Sequence, residues 1–336
     1  MDYFEVLGLA KEPFMDTADP YFFHTTPDRE EILTRLEVAV RVGRGLSIVL
    51  GDVGSGKTTL AQTLEQNLLQ DEAFVLGKII DPSFSSEFLF LTQIAMIFKI
   101  EYSTGNLLEL KNAIKNFLYT TGVEEKKTIL LIIDEAQKLS EENLETLRIL
   151  LNYQAPDRKL LNIILFGQPE LMEQMNKRPN LVDRISCFFF LSPLDKKGTH
   201  ELIGFRLRQA GLPDDREIFN PEAKDRIYEF SGGNVRKIVN LCHELIEELV
   251  IQEKSQVTVE MVERSLDKRK ELDRFFLLGT RTPSGNGHGN GHAHRNGKPQ
   301  DEGEANLENG LEPIAVRTKQ VRFSGFLERI LDKIWN

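Results

Sequence analysis

The chain has 336 residues, 40% of them hydrophobic and 28% charged, a composition that suits a soluble globular protein with room for two domains. Its 42 Lys and Arg against 52 Asp and Glu leave a formal charge of -10, which disfavours non-specific binding to a phosphate backbone. Only two cysteines occur, Cys187 and Cys242, both among apolar neighbours, so a disulfide framework or a zinc site is excluded and two buried thiols in a reducing compartment are expected.

The opening MDYFEVLGLAKEPF has no basic stretch ahead of an apolar one and no small-residue cleavage site, so no signal peptide is expected. The longest apolar run, Phe88 to Phe98, is interrupted by Thr92 and Gln93. It falls short of the roughly 18 residues that argue for a membrane helix. A helix is expected from about Asp28 to Val42. From about residue 46 to 195, short apolar runs alternate with helical patterns. Strands are expected at Leu46–Leu50, Phe74–Ile80, Thr128–Ile133, Leu161–Phe166 and Cys187–Leu191. Such runs suit central strands covered on both faces, hence a parallel sheet with crossover helices.

Residues about 196 to 275 read as helical throughout, which suggests a small separate bundle. From Gly279 to Pro313 the chain is Gly, Asn, His, Glu and Pro with almost no large apolar side chain. Such a segment cannot offset its ordering entropy and is expected to be a disordered linker, spanning roughly 30–35 Å end to end. His288, His292 and His294 read as part of a solvated linker or as a metal-binding tract. After it, Phe323, Phe326, Leu327, Ile330, Leu331, Ile334 and Trp335 recur at three- and four-residue spacing and predict an amphipathic docking helix over 314–336. A partner protein, the chain's own body and a membrane surface are the candidates for its contact. Balanced charges on its polar face weaken the last.

Gly51-Asp52-Val53-Gly54-Ser55-Gly56-Lys57-Thr58 has the spacing of the phosphate loop known as Walker A, with an apolar run before it and a helical pattern from Lys57 to Leu69 after it. Its glycines let the backbone curl so that amides point at phosphate oxygens. Lys57 would reach the β- and γ-phosphates, Thr58 would place its hydroxyl on Mg²⁺, and Thr59 continues the binding stretch. Thr128-Ile129-Leu130-Leu131-Ile132-Ile133-Asp134-Glu135 is a buried run that ends in two carboxylates. Asp134 would hold the metal and Glu135 would polarise the attacking water, so the pair points to hydrolysis. Leu161–Phe166 leads into Gly167-Gln168-Pro169-Glu170, which puts Gln168 where it would touch the γ-phosphate or orient water; a turn residue before Pro169 is the alternative.

Together with Phe4-Glu5-Val6-Leu7-Gly8-Leu9, Glu12-Pro13-Phe14, Asp19-Pro20-Tyr21-Phe22-Phe23, Leu144-Glu145-Thr146-Leu147-Arg148 and Asn152, these motifs make residues 1 to about 270 resemble AAA+ ATPases of the ExeA/GspA type. These belong to the general secretion pathway and related bacterial envelope systems. The resemblance implies an α/β P-loop AAA+ fold, a five-stranded parallel sheet with an all-helical lid. The domains would be a core at 1–195 with its N-terminal lead-in, a lid at 196–278, the linker at 279–313 and the docking helix at 314–336. It implies ATP and Mg²⁺ as cofactors, a ring-forming homo-oligomer, and a cytoplasmic location or a peripheral one at the inner membrane. It matches Arg184 to an arginine finger reaching a neighbour's γ-phosphate, with a surface ion pair to Asp183 or Glu170 as the alternative. It matches Arg236, in Gly232-Gly233-Asn234-Val235-Arg236, to a lid residue that senses nucleotide, with an exposed helix-end arginine as the alternative. The family's membrane segment and peptidoglycan-binding domain find no counterpart in this sequence.

Three functions compete. The first is an ATPase that drives or times assembly of an envelope machine. The second is a DNA-associated regulator of the TnsC/MuB kind, which the acidic charge does not favour. The third is an ATP-gated recruitment switch without turnover, against which Glu135 speaks.

Overall fold

The computed structural model describes residues 3–103 and 105–279; of the side chains at 273 and 275–279 nothing is said. The expected docking helix, and the expected linker beyond Gly279, lie outside the described residues. The helices in chain order are α1 (Tyr3–Val6), α2 (Pro27–Arg41), α3 (Lys57–Leu69), α4 (Glu87–Ile97), α5 (Leu107–Tyr119), α6 (Glu141–Leu150), α7 (Glu170–Asn176) and α8 (Pro179–Val182), then α9 (Lys196–Gln209), α10 (Pro221–Ser231), α11 (Val235–Ile251) and α12 (Val259–Gly279). The strands are β1 (Leu46–Leu50), β2 (Phe74–Ile79), β3 (Thr128–Ile133), β4 (Leu161–Gly167) and β5 (Ile185–Phe190).

The strands form one sheet in the order β2-β3-β4-β1-β5, and every neighbouring pair is parallel. A parallel sheet puts all strand ends on the same edge. The loops that follow β3, β4 and β1 therefore leave side by side. Leu50 lies opposite Gly167, and Ile133 opposite Leu165. Every residue of β1 and β4 is buried, and so is β3 after Thr128, because helices cover both faces. Asn162 ties their opposite ends together: its Oδ1 accepts from the Gly45 N–H at 3.1 Å and its Nδ2 donates to the Ile129 carbonyl at 3.3 Å.

The expectation of full cover on both faces fails for the edge strands. β2 and β5 are mostly half-buried, and Phe190 is 44% exposed. An apolar run marks a strand without saying whether it has a neighbour on each side. Cys187, on β5, is accordingly half-buried, whereas Cys242 on α11 is fully buried and its thiol is pushed up by that burial.

Helices α9 to α12 close around a second apolar cluster built on Leu202, Ile227, Leu245 and Met261. Its members also include Leu7, Leu9, Phe14 and Phe22, so the lead-in packs among the lid helices as far as Phe22, and Phe23 then joins the cluster on the sheet. Burial of those four side chains is what decides this placement. Gly232 and Gly233 end α10 with φ of 58° and 77°. Gly233 runs so close to the chain below it that an added Cβ would meet the Leu194 carbonyl oxygen at 1.8 Å. Among the described residues no helix is long and apolar enough to cross a membrane.

Candidate active site

The chain leaves β1 at Leu50 and turns tightly into α3. Gly54 and Gly56 take φ of 79° and 101°, the left-handed region where a side chain is strained. Lys57 is 5% exposed, and its ammonium donates to the Gly51 carbonyl at 2.8 Å and the Asp52 carbonyl at 3.0 Å. Burial pulls its pKa down; the carboxylates of Glu135, Asp134 and Asp52 oppose that shift. The Ser55 hydroxyl is buried inside the loop with no hydrogen-bond partner.

Parallel pairing brings the end of β3 to this loop. The Thr58 hydroxyl donates to Asp134 Oδ2 at 2.8 Å, although the residues are 76 apart in sequence. Asp134 is 1% exposed, and its other oxygen accepts the Glu135 N–H at 2.9 Å. Glu135 itself has φ of 49°, the left-handed region, unusual for a side-chain-bearing residue. Its Oε2 accepts from Gln137 Nε2 at 2.6 Å and from Gln168 Nε2 at 3.4 Å. The Gln137 Oε1 in turn accepts the Gln168 backbone N–H at 3.1 Å. Gln137 thus bridges the ends of β3 and β4, a role that no local motif assigns.

The opposite wall belongs to the lid. The Asn234 Nδ2 donates to the Val53 carbonyl at 2.7 Å, and the Arg236 backbone N–H donates to the Gly54 carbonyl at 3.1 Å. The N-terminus of α11 is therefore hydrogen-bonded to the loop. A Cβ on Gly54 would lie 2.6 Å from Asn234 Oδ1, so this contact needs a glycine there. The Arg236 side chain is 57% exposed and reaches Asp16 at 3.7 Å. Between the walls lies a cleft of about 640 Å³, open mouth included, lined by the loop through Thr59, Glu135, Val235, Arg236, Val239 and residues 15–18 of the lead-in. Arg206 holds that lead-in by donating to the Pro13 carbonyl at 3.2 Å, and burial lowers its pKa to about 10.

Arg184 is not brought to this cleft. It precedes β5, whose first residue lies opposite Leu46, the start of β1, while the loop follows the end of β1. Its Nε is buried without a hydrogen-bond partner. A second residue that the motifs do not mark is Arg29 on α2, 3% exposed, which donates to the Ser55 carbonyl at 3.0 Å from outside the loop.

Asp134 and Thr58 offer two hard oxygens in contact, a donor set that fits a magnesium-like cation completed by phosphate and water. No cluster of three or more metal-ligating side chains exists among the described residues.

A family described as AAA domain matches residues 40–175. Over 244 residues, 71% of this chain, the sequence is 32% identical to general secretion pathway protein A of Aeromonas hydrophila, with 43% of that protein covered. A potential ATP-binding protein of Staphylococcus aureus is 27% identical over 139 residues, 41% of this chain and 49% of its own length. The chain thus spans less than half the length of these two relatives. The structure of Cdc6p from Pyrobaculum aerophilum aligns with a TM-score of 0.61 at 16% identity, covering 77% of this chain and 72% of that one, which is a likeness of fold alone. Fold, loop and family match define a P-loop ATPase of the AAA class. Within that class the sequence is of the general secretion pathway protein A type.

Proposed function

We propose that the chain hydrolyses ATP in a Mg²⁺-dependent reaction within a homo-oligomer, and that turnover serves the assembly or regulation of a bacterial envelope machine of the secretion type. The observation that carries the reading is the meeting of Thr58, Asp134, Glu135 and Gln168 beside the glycine-rich loop. The loop amides and Lys57 would hold the β- and γ-phosphates. Mg²⁺, when bound, would be held by Thr58 and Asp134 and would draw charge from the phosphate oxygens. Glu135 would take a proton from the attacking water, and Gln168 would position that water or the γ-phosphate. Arg236 would reach into the cleft from the lid and tie its closure to the γ-phosphate.

Arg184, which precedes β5 at the opposite end of the strands from the loop, would serve a neighbouring subunit's cleft and not its own. In this reading residues 1–195 and 196–278 act as core and lid, and residues 314–336 recruit a partner protein. The link to an envelope machine rests on likeness to a protein of which this chain covers 43%, not on the site.

Mixing subunits tests the catalytic and oligomeric parts together. Arg184→Ala keeps its own base, and Glu135→Gln keeps its finger. Each alone is expected to be nearly inactive, and the mixture to regain Mg²⁺-dependent turnover. A mixture no more active than its components would remove the finger in trans. Full activity of Glu135→Gln alone would remove the base.

A further inference from the structure

Arg29 is the least explained charge in the described structure. It is 3% exposed and lies on α2, before the sheet begins. Its partners are the Ser55 carbonyl, to which Nη2 donates at 3.0 Å, and the Phe23 ring, 5.8 Å away. No carboxylate among the described residues forms an ion pair with it, and burial alone draws its pKa down to about 10. At neutral pH it is therefore a buried cation without a counter-ion. Buried charges are ordinarily paired. One that is not is expected to find its partner in a ligand.

Its position says which ligand. The guanidinium lies against the outer face of the loop, and a Cβ placed on Gly56 would be 3.5 Å from Arg29 Nη1. The peptide joining Ser55 to Gly56 is trans, as all are in the described chain. Its carbonyl and its N–H therefore point to opposite sides. With Arg29 on the carbonyl, the Gly56 N–H is turned inward, toward the concave face of the loop. A cation on the carbonyl pulls electron density from the amide and makes that N–H a stronger donor. The charge and the polarised amide act in the same direction, on an anion inside the loop.

We propose that Arg29 is a positioning residue for a polyphosphate: its charge is balanced by the ligand's β- and γ-phosphates through the Ser55–Gly56 peptide, and the ligand-free protein carries it uncompensated. This rests on the reading of the loop as the phosphate site.

Equilibrium dialysis of the full chain with labelled ATP, ADP and AMP tests it, using Arg29→Met, Arg29→Lys and Lys57→Ala. Arg29→Met is expected to weaken ATP and ADP about 10- to 100-fold, the range of a charged hydrogen bond, and AMP far less. Arg29→Lys, which keeps the charge, is expected to recover most of that loss. The nucleotide-free melting temperature of Arg29→Met should equal or exceed that of the wild type, because a lone buried charge has been replaced by an apolar chain of similar length. No loss of affinity, equal loss for all three nucleotides, or an Arg29→Lys as poor as Arg29→Met overturns the proposal and leaves a brace of shape alone. A fall in the nucleotide-free melting temperature, up to failure to fold, overturns it also. Lys57→Ala separates the two claims. If it binds ATP and ADP as the wild type does, the loop is not the phosphate site; if it fails while Arg29→Met binds normally, only the inference about Arg29 is lost.

Discussion

The two walls of the cleft are built on different principles. On the sheet side, charges are buried and held by loop backbone and the Thr58 hydroxyl: Lys57 is 5% exposed and Asp134 is 1% exposed, each fixed by bonds of 2.8 to 3.0 Å. On the lid side, Arg236 is 57% exposed and meets Asp16, 59% exposed, at only 3.7 Å. An exposed pair at that distance contributes at most about 1 kcal/mol and is screened by salt. The first wall is pre-organised, which favours binding and chemistry. The second is attached at two points of α11 and otherwise uncommitted, which leaves its charge free to answer a ligand.

If that contrast is right, damage to the sheet wall costs chemistry and damage to the lid wall costs coupling. The largest effect is expected at Glu135. Glu135→Gln should lower steady-state turnover about 100- to 10,000-fold, the worth of a positioned general base, while ATP affinity by calorimetry is kept. A turnover within a few-fold of wild type breaks the contrast outright. Next comes Gly233→Ala at the lid joint. A Cβ meeting Leu194 at 1.8 Å, on a residue with φ of 77°, should cost about 2–4 kcal/mol in chemical denaturation, and a neutral result would show that the joint yields.

A smaller effect is expected from Asn234→Ala. It removes the bond to Val53 and the cap on the Lys237 N–H, so it should destabilise the lid by about 1 kcal/mol. Hydrogen exchange at the Arg236 amide should quicken with it; unchanged exchange would mean that the loop does not hold the lid through this side chain.

The smallest effect concerns His24, between core and lid. Its ring lies 5.3 Å from Phe205 and its Nε2 lies 3.7 Å from Glu201. Burial lowers its pKa from 6.5, with Glu201 opposing. The folded state therefore prefers the neutral ring, while the unfolded chain takes a proton near 6.5. Stability from this source is present above that pH and lost as the pH falls. Melting temperatures of His24→Gln should fall less steeply than those of the wild type between about pH 7 and pH 5. Parallel curves would assign the acid sensitivity elsewhere.

The same contrast explains what the sequence made legible. The loop from Gly51 to Thr58 is contiguous, so its spacing alone marks it, and the run into Asp134 and Glu135 carries its own apolar signature. The strands β1 and β3 fall where their composition places them, because buried central strands need unbroken apolar runs. Gln137 was not legible. Its partners Glu135 and Gln168 meet only because β3 and β4 are neighbours, and strand order is not written in any local pattern. Arg29 sits on the buried face of an amphipathic helix, where a pattern of apolar residues gives no reason to expect a charge. The lead-in at 15–18, which lines the cleft, is likewise defined by its contacts with Arg206 and Arg236 of the lid and not by composition.

The Lys57 ammonium donates hydrogen bonds to two carbonyls of its own loop. If Lys57 holds a phosphate as proposed, its ammonium must release Gly51 and Asp52, so binding would be an exchange and not a capture. The heat evolved on association is therefore a difference between two satisfied states, smaller than a tally of final contacts implies. The carbonyls set free must turn to water or to some other donor, so the loop itself is expected to shift when the cleft fills.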